Sequence, residues 1–336
     1  MAKNADLTLA RKRKKDEFYT QLVDIENELR HYKGHFKDKV VLCNCDDPRK
    51  SNFFKYFADN FEKLQLRRLI ATCYKSQDVD LFSQGDCERA ICQVYEGDKN
   101  GNMVVDDDEV CVKVLKGDGD FRSAECIEIL KLADIIVTNP PFSLFREYVA
   151  QLVKYDKKFL IVGNVNSITY KEVFPLIKEG RMWLGASIHG GDREFGVPDD
   201  YPLTASSFRV DEKGRKFIRV KGVRWFTNLD YKERHERLPL YKTYSPEEFP
   251  KYDNYDAINV DKTSDIPMDY EGAMGVPITF LDKYCPEQFE ILNGNDFRKG
   301  ENVPVKSHGL IKDKEGSIGG VTKYARIVIR HRRSAQ

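Results

Sequence analysis

Residues 139–142, Asn-Pro-Pro-Phe, directly follow the apolar run 134–138 (DIIVT). The side-chain oxygen of Asn139 and the carbonyl of Pro140 can both accept hydrogen bonds from an amino group on a planar ring. Such bonds localise the nitrogen lone pair and orient it toward an electrophilic methyl group. Proline fixes the backbone so that this carbonyl points into a pocket, and Phe142 offers a face for a stacked base. The alternative is a strand-ending turn in which Asn139 is a cap and the prolines only stop the strand.

A glycine-rich segment with two carboxylates, Gly117-Asp118-Gly119-Asp120-Phe121, follows another apolar run, 110–115. A carboxylate there can accept a hydrogen bond from the amino group of an adenine-containing methyl donor, and Phe121 can stack on or pack against its ring. A glycine-rich turn with solvated acids is the simpler interpretation.

Two other segments could contact the same donor. Residues 44–48 (NCDDP) place Asp46 at the end of the run 40–45, ahead of a helix whose N-terminus is electropositive. This segment contains no GxG, and an N-cap for that helix explains it equally well. Residues 16–21 (DEFYTQ), taken alone, indicate only the capped start of a helix.

The elements that must position these residues follow an alternating order. Apolar, β-branched segments predict strands, most of them buried, at 40–45, 69–74, 110–115, 134–138, 159–165, 182–187 and 223–229. Helical patterns lie between several of them, at 51–65, 123–132, 143–155 and 168–179. Strand–helix alternation predicts an α/β fold with a parallel sheet. Ligands of open α/β sheets bind at the carboxyl ends of the strands, where residues 139–142 are expected to lie.

Two polar stretches interrupt this alternation, and the last third of the chain abandons it. Residues 75–109 and 188–222 are predicted to be insertions or long loops. After residue 232 the sequence becomes rich in Pro, Tyr and Asp. We therefore expect an arm at 1–15, a main domain at 16–232 and a second, irregular domain at 233–336.

Composition and charge narrow the class of protein. Hydrophobic residues make up 41% of the 336 residues, as in a globular protein with an ordinary core. No window approaches the ~20 apolar residues of a membrane span, so we expect a cytoplasmic protein. The eight cysteines form no CxxC pair, and those inside apolar runs, such as Cys43 and Cys111, are expected to be reduced and buried.

Both ends of the chain are basic: residues 1–15 hold six Lys/Arg against one acid, and residues 321–336 hold five against none.

Together these segments resemble the EcoRI-type adenine-specific DNA methyltransferases over almost the whole chain. The resemblance is carried by DEFYTQ (16–21), CNCDDPRKSNFFKYFADNF (43–61), GDGDFRSAE (117–125), TNPPFSLFREY (138–148), YDKKFLIVGNVNSITYKEVF (155–174), KYDNYDAINV (251–260) and MGVPITFL (274–281). It implies a Rossmann-like, seven-stranded catalytic domain, S-adenosylmethionine as methyl donor with no metal, and a C-terminal target-recognition region. It also implies that adenine is flipped out of double-stranded DNA.

The resemblance assigns roles to individual residues. Asn139, Pro140 and Phe142 would be catalytic; Asp120 and Phe121 would hold the adenine of the donor, and residues 18–20 would close over its methionine end. The residues expected to contact the donor are Phe18, Tyr19, Thr20, Asp46, Asp118, Asp120, Phe121 and Asn139. The basic residues expected to contact DNA are Arg11, Lys12, Arg13, Lys14 and Lys15. One position departs from the wider methyltransferase fold: the second strand ends Thr72-Cys73-Tyr74, without an acid for the donor ribose.

Other functions remain open at this point. Asn-Pro-Pro followed by an aromatic also serves methylation of RNA bases or of glutamine amides in proteins, and a DNA-binding relative that has lost turnover would keep the fold. We expect an enzyme that acts as a monomer, either beside a cognate nuclease in a restriction-modification system or alone.

Deleting residues 1–15 tests the predicted role of the basic arm. If five of its cations contact phosphates, the slope of log K for DNA against log salt concentration should become shallower by roughly 4 to 5. Fluorescence anisotropy over a salt series measures this slope. An unchanged slope would show that the arm makes no phosphate contacts.

Overall fold

The computed structural model describes residues 18–74, 89–197, 208–297, 310–312 and 314–332. In chain order its strands are β1 (Tyr19–Thr20), β2 (Val40–Cys45), β3 (Arg68–Cys73), β4 (Ile91–Tyr95), β5 (Val110–Val114), β6 (Ile135–Thr138), β7 (Lys158–Asn164), β8 (Trp183–Leu184), β9 (Asp192–Val197), β10 (Phe208–Val210), β11 (Lys216–Lys221), β12 (Val223–Thr227), β13 (Ile258–Asn259), β14 (Met274–Pro277), β15 (Phe289–Ile291), β16 (Leu310–Ile311), β17 (Ser317–Ile318), β18 (Val321–Thr322) and β19 (Arg326–His331).

The α-helices are α1 (Leu22–Leu29), α2 (Asn52–Asp59), α3 (Phe61–Leu64), α4 (Ala124–Leu132), α5 (Phe145–Lys154) and α6 (Phe174–Lys178). Short 3-10 helices span Lys33–His35, Phe142–Leu144, Val165–Thr169, Lys232–His235, Thr263–Asp265, Ile278–Lys283 and Gly294–Phe297. No helix in these ranges is long and apolar enough to cross a membrane. The chain divides into two compact units, Met1–Val165 with Gly190–Leu229, and Asn166–His189 with Asp230–Gln336.

The first unit contributes seven neighbouring strands to the largest sheet, in the order β5-β4-β3-β2-β6-β7-β12. The four central strands β3, β2, β6 and β7 are parallel. β4, β5 and β12 pair antiparallel at the two sides. The central strands read as continuous buried runs, such as β6, because both faces of a parallel sheet are covered.

Helices on the faces of this sheet begin where the sequence predicts. Ser51 caps α2 by accepting a hydrogen bond from the amide of Phe53, and Ser123 caps α4 by accepting from the amide of Cys126. α5 buries one stripe of its surface, formed by Phe145, Tyr148, Val149 and Leu152. The helix predicted at 51–65 is interrupted at Asn60, between α2 and α3. That predicted at 168–179 is reduced to the five residues of α6.

The strand predicted at 110–115 is present as β5, but the expectation that it is buried is wrong. Its residues are mostly exposed, and Cys111, expected to be a buried thiol, is an exposed one. β5 is the outer strand of the sheet and pairs with β4 on one side only. An apolar run of five residues does not distinguish such a strand from a central one.

Residues 188–222, predicted to be an insertion or a long loop, do not form a long loop in their described part. β9, β10 and β11 lie there and form a four-stranded antiparallel sheet with β1, in the order β1-β9-β11-β10. β11 alternates buried and exposed residues, with Arg219 and Lys221 on the exposed positions. These charges lower the mean hydropathy of the segment and hide the strand. Similarly, β4 lies within 75–109, of which residues 75–88 fall outside the described ranges.

The second unit has a sheet of its own around the long strand β19. β14, β15 and β16 pair antiparallel with β19, and β13 pairs parallel with β14. One cluster of its core is rich in aromatic side chains and contains Tyr252, Tyr255, Ala257, Ala273, Leu292, Phe297, Ile311 and Val328. Short strands and aromatic packing account for the absence of a strand–helix rhythm in this part of the sequence.

Gly119, in the loop after β5, lies against the end of β3. Its φ is +80°, and a Cβ at this position would lie 2.1 Å from the carbonyl oxygen of Cys73. Both the backbone conformation and the close approach therefore require glycine here. The contact fixes residues 117–121 beside the carboxyl end of β3.

Replacing Gly119 by alanine should therefore destabilise the protein more than the same replacement does at a glycine that has only a positive φ. We expect a loss of about 2–3 kcal/mol in the free energy of unfolding, because strain and a backbone clash add. Gly214→Ala is the matched control, since Gly214 has φ +76° but open space around a Cβ; it should cost about 1 kcal/mol. Urea unfolding measures both, and equal losses would contradict the close approach.

Candidate active site

The predicted site lies where the strand order of the sheet reverses. β2 has β3 on one side and β6 on the other, all three parallel, and the chain passes from β2 to β3 before it crosses to β6. At such a point the connections leave in opposite directions and open a crevice at the carboxyl ends of the strands. Asn44 at the end of β2 and Asn139 after β6 border this crevice.

The side-chain amide of Asn139 is fixed through its nitrogen, while its oxygen has no such contact within the described ranges. The side chain is buried, and its Nδ2 donates a hydrogen bond of 2.6 Å to the carbonyl oxygen of Phe18. Its Oδ1 is also buried but has no hydrogen-bond partner among the described residues. An unsatisfied buried acceptor costs about 1–3 kcal/mol. A ligand that donates a hydrogen bond would remove this cost.

Next to Asn139, Phe142 belongs to a cluster of three aromatic side chains. Phe18 lies edge-on to Phe142, with ring centroids 5.8 Å apart, and also contacts Phe195 of β9 at 6.0 Å. All three side chains are buried. Pro140 is buried as well, and the 3-10 turn beginning at Phe142 leads directly into α5. The structure thus brings residues 139–142 together with Phe18.

Thr20 is positioned by the pairing of β1 with β9. Residues Tyr19 and Thr20 pair with Gly196 and Phe195 of β9, and the Thr20 carbonyl accepts a hydrogen bond of 2.7 Å from Asn52. The hydroxyl of Thr20 is buried without a partner in the described part of the chain. The segment that by itself indicates only a helix start therefore presents a second unsatisfied polar atom, two residues after the Phe18 carbonyl that Asn139 binds.

The end of β2 is fixed by hydrogen bonds from two other elements. The Thr138 hydroxyl donates to the carbonyl of Asn44, and the buried Tyr148 hydroxyl donates to its Oδ1. Burial is the main reason why the pKa of Tyr148 lies well above its usual value. The phenol therefore stays protonated and remains a donor.

Asp46, just beyond β2, is buried and accepts a hydrogen bond of 3.3 Å from Ser51. Ser51, rather than Asp46, caps α2. Asp46 thus supports the residue that caps α2.

The loop 117–121 carries its two aspartates differently. Asp120 receives two side-chain bonds from Arg122, at 2.9 and 2.6 Å, and Arg122 also binds Glu147 of α5 at 2.8 Å. The hydrogen bonds from Arg122 are the main reason why the pKa of Asp120 lies below its usual value. Asp118 is exposed, and its Oδ1 accepts from the amide of Asp120 at 3.0 Å.

Phe121 is buried against Tyr148, with ring centroids 5.1 Å apart, and its carbonyl accepts a hydrogen bond of 2.9 Å from Gln151. The loop is therefore tied to the helix that follows the Asn-Pro-Pro-Phe turn. Tyr148 in turn contacts both Phe121 and Asn44, in two of the four predicted segments.

Sequence reasoning missed three residues that hold this site. Tyr148 is recognised only as one member of the apolar stripe of α5, although a tyrosine within a fully buried stripe signals a hydroxyl that needs a partner. Arg122 follows the aspartate motif directly. Phe195 gave no signal, because its segment was predicted to be a loop. Residues 11–15, the predicted DNA contacts, lie outside the described ranges.

Comparisons with known proteins show the family of the chain. A family model described as adenine-specific methyltransferase EcoRI matches residues 6–332. The chain is 53% identical to the Type II methyltransferase M.EcoRI of Escherichia coli, with 99% of both chains covered. It is 36% identical to M.MgeORF184P of Mycoplasma genitalium, over 96% of this chain and 97% of the relative, and 35% identical to M.MpnI of Mycoplasma pneumoniae, over 97% and 98%. No solved structure matches the chain. This chain therefore belongs to the EcoRI family of adenine-specific DNA methyltransferases.

Proposed function

We propose that the crevice between β2, β3 and β6 receives an adenine swung out of duplex DNA and directs its N6 amino group at the methyl group of S-adenosylmethionine. The observation that carries this proposal is the amide of Asn139. Its nitrogen is fixed on Phe18, while its oxygen is buried and without a partner among the described residues. An amino group of the substrate base is a donor of the kind that this oxygen lacks.

The residues after β6 act on the adenine amino group by accepting its hydrogens. The lone pair of this nitrogen is delocalised into the ring, so the group is a poor nucleophile. Hydrogen bonds to Asn139 Oδ1 and to the Pro140 carbonyl localise the lone pair and stabilise positive charge as the N–C bond forms and the methyl–sulfur bond breaks. The thioether leaves, and the methylated amino group loses one proton to water. Because the Asn139 amide is already oriented by Phe18, this acceptor needs little reorganisation. Phe142 provides the stacking face for the extruded base.

The residues around the crevice fit the donor. S-adenosylmethionine, when bound, supplies an electrophilic methyl group on a sulfonium. The unsatisfied Thr20 hydroxyl, together with Phe18 and Tyr19, binds its methionine end, and the carboxylate of Asp46 accepts from the α-amino group. Phe121 packs against the donor adenine, and Asp120, oriented by Arg122, accepts from its amino group. A carboxylate has about four acceptor sites, so the ion pair with Arg122 does not exclude this contact.

The seven strands of the first unit support a Rossmann-like methyltransferase domain. The parallel order β3-β2-β6-β7 places donor and acceptor segments at one edge of the sheet. We assign catalysis to residues 16–232 and target recognition to residues 233–336. The four-stranded sheet in the first unit adds Arg219 and Lys221 as candidates for phosphate contacts, and the basic arm and tail add more.

The names of the relatives extend the proposal to a biological role. The three are named as Type II methyltransferases, which supports a modification enzyme that protects DNA from a cognate nuclease in the cytoplasm. The protein acts as a monomer, since each transfer modifies one strand. Transfer to RNA adenine, transfer to a protein glutamine amide and a catalytically silent relative are the alternatives.

Methyl transfer from labelled donor to duplex DNA should give N6-methyladenine in one sequence context, whereas RNA and glutamine peptides should remain unlabelled. Asn139→Ala should reduce kcat at least about 10²-fold, as the loss of one oriented hydrogen-bonding group does in other enzymes. Donor affinity should fall far less than kcat, because the lost oxygen is assigned to the base and only the bond from Asn139 Nδ2 to Phe18 reaches the donor side. Nucleoside mass spectrometry and calorimetry measure the two quantities. Asn102→Ala, in the exposed hairpin between β4 and β5, serves as the control.

Retained activity of Asn139→Ala would remove the catalytic assignment. Labelling of RNA or peptide, but not of DNA, would instead favour one of the alternative substrates. The complete absence of transfer by the unaltered protein would favour the catalytically silent relative.

Tyr148 positions the end of β2 for the donor, and Tyr148→Phe tests this role. Without the hydroxyl, Asn44 Oδ1 loses its buried donor, which should lower stability by about 1–3 kcal/mol. The donor KM should rise several-fold while kcat changes less. Tyr252→Phe is a matched control, since the equally buried Tyr252 donates to Asn259 Oδ1 at 2.7 Å in the second unit. It should lower stability without altering KM, and the same KM effect in both variants would contradict a positioning role.

A further inference from the structure

The strand β3 ends without the carboxylate that a nucleoside site needs. In open α/β sheets an acidic residue near the end of the second strand accepts hydrogen bonds from ribose hydroxyls. β3 is the second strand of this sheet in chain order among its parallel members, and it ends at Thr72, Cys73 and Tyr74. Residues 72–74 supply no carboxylate, and the residues that follow them, 75–88, lie outside the described ranges, so the carboxylate is sought among the described residues near this strand end.

The loop after β5 occupies this end of the strand. The Cβ that Gly119 lacks would lie 2.1 Å from the Cys73 carbonyl oxygen and 2.9 Å from the Cβ of Ala90. Cys73 is also the register partner of Cys45 in β2, the residue before Asp46. Gly119 thus brings the flanking Asp118 and Asp120 to the end of β3, one strand away from the Asp46 segment.

Asp118 and Asp120 differ in how many of their carboxylate acceptor sites are already occupied by hydrogen bonds. Asp120 is engaged through both carboxylate oxygens by Arg122, which is itself anchored on Glu147. Asp118 is exposed and receives the amide of Asp120 on Oδ1. This bond orients the Asp118 carboxylate relative to the loop while most of its acceptor sites stay open to a ligand.

We infer that Asp118 is the residue that accepts hydrogen bonds from the ribose hydroxyls of the donor, an inference that rests on the proposed function of this crevice. The carboxylate reaches the ribose from the loop after β5 instead of from the end of β3. Asp120 and Phe121, next in the chain, meet the adenine attached to the same sugar. One short loop therefore contacts both the ribose and the adenine of the donor, and the packing of Gly119 against Cys73 fixes the position of this loop.

Calorimetry with ribose analogues tests this assignment without turnover. The probes are S-adenosylhomocysteine and its 2′-deoxy and 3′-deoxy analogues. For the unaltered protein, loss of a hydroxyl that donates to a carboxylate should weaken binding roughly 10-fold or more. For Asp118→Ala, S-adenosylhomocysteine should bind more weakly, and at least one deoxy analogue should bind as well as it does. Asp118→Asn should retain part of the discrimination.

Two control variants separate this role from nearby effects. Asp120→Asn should weaken all three ligands while the ratio between them stays as in the unaltered protein. Asp107→Asn, an exposed acid in the hairpin between β4 and β5, should change nothing. A melting temperature for each variant confirms that it is folded.

The outcomes distinguish the inference from the proposed function. If the unaltered protein does not bind S-adenosylhomocysteine, the assignment of the crevice as donor site fails. If it binds and discriminates, but Asp118→Ala keeps the full deoxy penalty, Asp118 is not the ribose ligand although the donor site stands. If Asp118→Ala binds none of the three ligands, the ratio in Asp118→Asn decides: an unchanged ratio overturns the inference and a reduced ratio supports it.

Discussion

Asn44 is the residue on which the geometry of this site depends. Its backbone carbonyl receives the Thr138 hydroxyl, one residue before Asn139, and its side chain receives the Tyr148 hydroxyl from α5. Adjacent parallel strands diverge once their ladder hydrogen bonds stop, so their ends need separate ties. Through Asn44, the loops after β2 and β6 are held at a fixed separation. Tyr148 then extends this constraint to Phe121, whose ring it contacts.

The same region also contains groups that are not satisfied. Asn139 Oδ1 and Thr20 Oγ1 are buried without partners among the described residues, beside an aromatic cluster of Phe18, Phe142 and Phe195. Polar atoms in such surroundings lower the stability of the free protein. They gain correspondingly more from a ligand that supplies the missing hydrogen bonds. A tightly held frame around two unsatisfied polar atoms is the arrangement expected of a preorganised binding site.

Much of this frame could be predicted from the sequence, for reasons that particular residues show. The central strands are continuous apolar runs, Ser51 and Ser123 are capping residues ahead of helices, and residues 139–142 combine types that serve few structural roles. These signals are local. The pairing of β2 with β6 and the approach of Gly119 to Cys73 are not local, because each joins segments more than 40 residues apart.

Other features escaped prediction because composition concealed them. β11 carries Arg219 and Lys221 on its exposed face, so its low mean hydropathy resembled that of a loop. β5 is apolar but lies at the outside of the sheet, which five residues of sequence cannot reveal. The ion pair of Arg122 with Asp120 changes which aspartate has open acceptor sites, and only a structure supplies that distinction.

The pairing of β1 with β9 has a consequence for how the protein is made. β1 lies at residues 19–20, near the start of the chain, whereas its partner β9 lies at residues 192–197. A nascent chain that has emerged through residue 164 contains β2, β3, β6 and β7 but lacks the strand that anchors Phe18 and Thr20 beside Asn139. The central sheet can therefore form early in synthesis, while the pocket is completed only when β9 has left the ribosome. A chain truncated before this point lacks the strand that pairs with β1, so the segment that carries Phe18 and Thr20 has lost its partner in the sheet.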